Sequence, residues 1–364
     1  MMVVSKQHQI FFDFLRFCIG SESEIPSSLK EADWKELYRI AQKQCLVGIL
    51  FDGIQKLPPT EVGMSKNLLL QWITQSQMLE KANVRLNDAA IQVSEWFRKK
   101  GFRTCILKGQ GNALLYPNGL HRTPGDIDIW VDGGDKRVIS FVRSISPHEK
   151  ACYHHIEVPS YKGVEVEVHY RPSFLLCFWH NRKLQKYYER VKEEQFSHRV
   201  MLGEQGEIAI PTVEFNLIFQ LTHIYAHLMN EGIGLRQLLD YYYVLISDDL
   251  LLIRDRVQKE LKELGLWKFA GAIMYIMQEV FGLSASRLIV PPNEKYGRFV
   301  LNEVLEAGNF GKHDERNRFG RSKLGHNLQR VYRDMRLVRY FPAEALSEPF
   351  FRVWHFFWRL KHRS

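Results

Sequence analysis

The segment "RTPGDIDIW", Arg122 to Trp130, constrains this chain more than any other. Acidic and isoleucine residues alternate strictly in it, the period of a half-buried β-strand. Successive strand side chains point to opposite faces, so Asp126 and Asp128 share one face, about 7 Å apart along the strand, while Ile127 and Ile129 share the other. Two like charges that close repel each other, and a cation between them is the natural relief. In "VEVEVHY" the same alternation puts Glu165, Glu167 and His169 on one face and Val164, Val166 and Val168 on the other. If the two strands pair, a third carboxylate reaches the aspartates. The residue pattern leaves Glu165 and Glu167 as equal candidates for it.

Three carboxylates suit Mg²⁺, with Mn²⁺ as a substitute, because a hard cation takes oxygen ligands and keeps the rest of its octahedron for water or phosphate. Two such ions roughly 4 Å apart would hold the attacking and leaving oxygens of an in-line phosphoryl displacement. A lone D-x-D is a weak motif, common near strand ends. Its company strengthens it. "RTCILKG" reads as a short strand broken at Gly109, and "QGNALLYPNG" as one or two helical turns, a geometry that offers free backbone N–H groups to a phosphate. Lys108 adds a positive charge there, and Arg122 stands four residues before the first aspartate.

Around this centre the pattern is helical. "WKELYRIAQKQCLVGILFDGI" and "LLLQWITQSQMLEKANVRLNDAAIQVSEWFRKKG" carry apolar residues at three- and four-residue spacing, the second ending at Gly101. "GDKRVISFVRSI" predicts a short helix, and "ACYHHIEV" and "VEVEVHY" predict a hairpin through Lys162-Gly163. Thr212 is a helix N-cap before "VEFNLIFQLTHIYAHLMNEG", and Gly232 and Gly234 form a turn before Arg236 opens the next helix. The expected fold class is therefore α+β: a small mixed-sheet core over 101–211, an N-terminal helical region over 1–100, and a C-terminal helical region with a basic tail over 212–364.

These residues resemble a known group. "ILKGQGNALLYPNGLHRTPGDIDIWV", then "VEVEVH", then "HIYAHLMNEGIGLRQLLDYYYV" are similar to the uncharacterised bacterial nucleotidyltransferase family of the polymerase-β-like superfamily. The resemblance implies a minimal nucleotidyltransferase core with Asp126, Asp128 and Glu167 as metal ligands and catalytic carboxylates. It also implies Lys108, Gly109, Arg122 and Arg236 as nucleotide-binding residues, and a nucleoside triphosphate such as ATP as partner. Much of that superfamily has Gly-Ser where this chain has Lys108-Gly109, so a hydroxyl is absent from the phosphate site. The acceptor is left open: a hydroxyl, an RNA held by the basic tail, or none, if the chain only binds nucleotide.

Other chemistries fit less well. "GQGNAL" departs from a dinucleotide fingerprint at Leu114, and neither a P-loop nor a G-x-S-x-G elbow occurs. His223 and His227, four apart, lack the glutamate and third ligand of a zinc helix and read as a cleft-facing or buried pair. A pair between Arg236 and Asp240 at i,i+4 is the structural alternative for that arginine. Five cysteines without C-x-x-C argue for free thiols in a reducing compartment, and no apolar run is long enough for a transmembrane segment, so the expected location is cytoplasmic. The net charge of +9 gathers from Gly311 onward, where 13 Lys and Arg face 5 Asp and Glu. Such a tail suits RNA or an anionic surface, although "PFFRVWHFFWRLKHR" reads better as a helix packed on the protein with a basic rim.

Overall fold

The computed structural model describes residues 4–58, 63–204, 206–312, 314, 316 and 323–362. Four helices come first: α1 (Lys6–Ile19), α2 (Trp34–Lys43), α3 (Val47–Ile54) and the 34-residue α4 (Lys66–Lys99). Ser5, Asp33 and Ser65 start α1, α2 and α4 by accepting N–H groups of the first turn, which would otherwise lack partners. The stretch from Trp34 to Ile54, one pattern in sequence, is split at Cys45, whose φ of 56° ends α2.

The sheet follows: β1 (Thr104–Ile106), a one-turn helix α5 (Gln110–Ala113), β2 (Ile127–Val131), α6 (Gly134–Ile145), β3 (His155–Tyr161) and β4 (Val164–His169). Its strand order is β1-β2-β4-β3, with β2 and β4 parallel and the outer pairs antiparallel. The hairpin β3–β4 turns through Lys162 and Gly163, both at positive φ, as the sequence predicts. Alternation then divides the sheet. Ile127, Ile129, Val131 and the three valines of β4 bury against Leu86, Val93 and Phe97 of α4 and Val138 and Val142 of α6. The opposite face carries Asp128, Glu167 and His169, with Trp130 packed between Phe196 and Phe215.

Beyond the sheet, α7 (Phe178–Ser197) and the small hairpin β5 (Arg199–Leu202) and β6 (Gly206–Ala209) are elements that hydrophobic periodicity does not disclose. The C-terminal helices are α8 (Val213–Asn230), α9 (Leu235–Leu245), α10 (Leu250–Glu263), α11 (Trp267–Phe281), α12 (Glu294–Ala307), α13 (Lys323–Leu337) and α14 (Pro342–Lys361). Thr212 caps α8 as expected. The fold is α+β, a small mixed sheet flanked by helices. α1 packs on both α3 and α11, so helices from the two ends of the chain share one apolar cluster. That cluster reaches the site-bearing face of the sheet through Cys105 and Trp130. No helix among the described residues is long and apolar enough to cross a membrane.

Candidate active site

Asp126 ends the loop before β2, and Asp128 is the second residue of that strand. Because β2 and β4 run parallel with Asp128 opposite Glu167, the third carboxylate comes from the neighbouring strand. One oxygen from each of Asp126, Asp128 and Glu167 lies within 4.8 Å of the others, a group able to hold a metal ion. Glu165 shares the face and lines the same cleft, but it is exposed and outside that group. Of the two glutamates that alternation puts on this face, Glu167 is the one that lies with the aspartates. The cleft around these residues encloses about 740 Å³ and is walled by α8, α9, the loop after α12, and α14.

Asp128 is 1 % exposed and sits between two cations. His169 Nε2 lies 3.0 Å from its Oδ1, and Lys108 Nζ lies 3.0 Å from its Oδ2. The carboxylate is thus buried with a positive charge against each oxygen. Burial would raise the Asp128 carboxyl, yet Lys108 and His169 outweigh it and hold Asp128 below the usual carboxylate range. Asp126 moves the other way: the Asp128 charge, then burial, raises it. Glu167 is opposed by burial but lowered by its bond to His169, 3.3 Å away. His169 is opposed by burial and raised to about 9 by Asp128 and Glu167, so it is an imidazolium at neutral pH. Its Nδ1 faces the Arg171 carbonyl at 3.4 Å, which orients the ring. Lys108, although desolvated, is kept charged by the three carboxylates.

The phosphate-binding expectations fare unequally. Lys108 lines the cleft, 3.1 Å from His223 Nε2, and Gly109 follows it at φ 67° and ψ −106°, a backbone state reserved for glycine. The helix after it is a single turn, too short for much macrodipole, so Lys108 carries the positive charge of this corner. Arg122 is a correction. It is 3 % exposed and committed to a bidentate pair with Asp240 (2.7 and 2.8 Å), which also accepts the Tyr116 hydroxyl at 2.7 Å. Its side chain is absent from the cleft wall, so it braces the fold under the loop that carries Asp126. Asp240 therefore does not pair with Arg236. That residue does line the cleft, and its Nη1 donates to the Thr123 and Pro124 carbonyls at 2.9 and 3.1 Å, clamping the approach to Asp126.

Several cleft residues escape sequence reasoning. His155 opens β3 and His154 precedes it, their rings each 5.3 Å from His169. Burial, then the His169 charge, lowers His155 to about 4, so it is neutral beside Glu167. His223 and His227, which the sequence reads as a cleft-facing or buried pair, face the cleft from α8 with rings 4.3 Å apart. Burial and Lys108 keep His223 neutral, and neither histidine belongs to a metal-holding group among the described residues. Phe310 projects into the cleft from a left-handed position, φ 53° and ψ 31°, with its ring 5.1 Å from His227. A non-glycine residue there costs about 1 kcal/mol or more and persists only when its surroundings enforce it. From the basic tail, Lys312, Arg330, Arg352 and His355 line the cleft, whereas Arg316 pairs with Glu303 and Asp314, and Arg333 donates to carbonyls at the end of α8. The i, i+3 spacing of Arg352 and His355 was the available signal, masked by the aromatic residues around it.

The structure thus presents a carboxylate cluster on a mixed sheet, fronted by a lysine and walled by helices. Residues 30–282 match the family described as "Uncharacterised nucleotidyltransferase", and the chain belongs to that family. Among solved structures, an antigenic nucleotidyltransferase-like protein from Paracoccidioides brasiliensis aligns with 14% sequence identity and a TM-score of 0.33, over 58% of this chain and 96% of the other. No curated protein matches.

Proposed function

We propose that the chain is a divalent-metal-dependent nucleotidyltransferase of the polymerase-β-like kind, moving a nucleoside monophosphate from a nucleoside triphosphate to an acceptor hydroxyl. The observation that carries this is the convergence of Asp126, Asp128 and Glu167 oxygens within 4.8 Å across two parallel strands. The donor set fits Mg²⁺ or Mn²⁺: three carboxylates, whose hard oxygens such cations take as ligands. When bound, such ions supply charge neutralisation to the triphosphate and lower the pKa of the acceptor hydroxyl.

The chain's own residues do the rest by positioning. Asp126, Asp128 and Glu167 would hold the metal ions, Asp128 being kept ionised by Lys108 and His169. Lys108, 3.0 Å from Asp128 and on the cleft wall, would meet a phosphate oxygen bound there. Arg236 holds the loop before Asp126 and turns its guanidinium to the cleft. The acceptor oxygen bonds the α-phosphorus as the bond to the bridging oxygen breaks; pyrophosphate leaves, and the acceptor's proton passes to ionised Glu167.

A thermal-shift panel of nucleoside triphosphates with and without Mg²⁺, on the native chain and on Asp126→Asn/Asp128→Asn, tests the binding half. A metal-dependent shift in the native chain alone is expected; equal shifts would sink the reading. Labelled-nucleotide transfer tests the chemistry. Triphosphate binding without any transfer would favour a regulatory nucleotide-binding protein, for which the missing hydroxyl at Gly109 is the supporting observation.

A further inference from the structure

α14 is apolar on both sides. Its inner face docks: Ala345, Glu348 and Phe351 are buried, with Phe351 against Tyr153 and Phe174. Its outer face carries Leu346, Phe350, Val353, Phe357 and Leu360, spaced four, three, four and three residues apart and exposed by 60, 71, 60, 63 and 43%. That stripe runs about 21 Å along the helix. α13, held beside it by the Arg352–Asn327 contact, exposes Leu328, Val331 and Met335 by 46, 47 and 62%. An apolar stripe of this length on an outward face calls for an apolar surrounding of its own.

Charge decides what fits. Among the described residues of 323–361, every exposed charged side chain is basic: Arg330, Arg339, Arg359 and Lys361. The acidic ones turn inward, Glu344 to the Leu176 and Cys177 amides, Glu348 to Arg352, and Asp334 half-buried beside Glu348. Beside α14, a groove of about 520 Å³ against α7 has Arg171, Arg182 and Lys186 with Phe178 and Trp354 on its walls; its one carboxylate, Glu189, is paired with Lys192, and Trp179 of α7 is 74% exposed. A second copy of the chain would set basic rim against basic rim. Single-stranded RNA would find aromatic rings to stack on, but not a use for Leu346, Val353, Leu360, Val331 and Met335.

We propose that the outer face of α13 and α14 seats on an anionic phospholipid surface, the apolar stripe entering the acyl boundary and the Arg182–Lys186 groove taking headgroup phosphate. The same helix lines the cleft with Arg352 and His355, so lipid binding fixes the cleft at the membrane. This goes beyond nucleotidyl transfer and does not depend on it.

Vesicle flotation of the full chain tests it, with phosphatidylcholine alone and with phosphatidylglycerol added. The native chain is expected to float only with the anionic vesicles, and less so in high salt. Phe350→Ser/Phe357→Ser is expected to lower the bound fraction about tenfold or more, and Arg182→Glu/Lys186→Glu to remove the dependence on anionic lipid. These side chains are exposed, so melting midpoints should match the native chain. No flotation, or flotation indifferent to both pairs, overturns the proposal. A dimer in light scattering that the serine pair dissolves assigns the face to a second copy, and RNA binding lost in the glutamate pair without flotation assigns it to RNA; either result overturns it.

Discussion

Asp240 accepts two Arg122 nitrogens and the Tyr116 hydroxyl inside the protein, where a charge left alone is costly. Arg122→Met should therefore destabilise the fold by about 3–5 kcal/mol and leave triphosphate affinity of the folded fraction unchanged, which denaturant melts and a binding titration together check. Reduced affinity without lost stability would return Arg122 to the nucleotide. His169 gives a residue-scale pH prediction. Its folded value of about 9 exceeds the unfolded 6.5, so its stabilisation is complete below 6.5 and is lost as pH rises through 9. In chelator-treated protein, the melting midpoint should fall from pH 7 to 10 more steeply for the native chain than for His169→Gln; parallel curves would contradict the assignment. Alternation does not choose between Glu165 and Glu167, but at this scale the cleft face that they share with Asp126 and Asp128 was legible. Arg122 was not, because its partner lies 118 residues away and proximity in sequence to Asp126 pointed elsewhere.

At the scale of elements, periodicity disclosed α4, the β3–β4 hairpin and the α8 cap, since each has a period and a stop signal of its own. α7 and the β5–β6 hairpin stayed hidden. α7 is rich in Lys, Glu and Tyr with a narrow apolar stripe, and the strands of the hairpin are four residues each. The α13–α14 hairpin holds a further test. Burial, then the neighbouring Glu348 charge, pushes Asp334 up to about 7 from 3.8. Folding takes up a proton between those values, so the native chain loses stability as pH rises from 3.8 to about 7 and does not regain it above. Asp334→Asn, which mimics the protonated form, should gain on the order of 1–2 kcal/mol at pH 8, after allowance for solvent screening, and nothing at pH 4. Melting midpoints at the two pH values decide it; an equal gain at both would mean the charge is not the cause.

The whole molecule is less divisible than three regions along the chain imply. Phe11, Phe12, Phe14 and Leu15 of α1 are buried in the cluster that also holds Met274, Val280 and Phe281 of α11. Each large apolar side chain removed from such a core costs about 3–5 kcal/mol, and their sum exceeds the roughly 5–15 kcal/mol that stabilises a domain. A chain lacking residues 1–20 is expected to lose cooperative unfolding and protease resistance throughout; a truncated chain that melts as sharply as the native one would show that the N-terminal helices are an accessory. Sequence could not reveal this sharing, because amphipathic helices state that they bury a face without naming the partner.

The pairing of Asp128 with Glu167 has a last consequence. Side chains in β4 alternate with a period of two, so shifting that strand by one residue against β2 would carry Glu165 and Glu167 into the valine core and Val164, Val166 and Val168 into the cleft. Core and cleft are thus read from the same parity, and neither can be lost alone. A single residue inserted inside β4 would therefore cost the chain its core packing and its carboxylate cluster in one event.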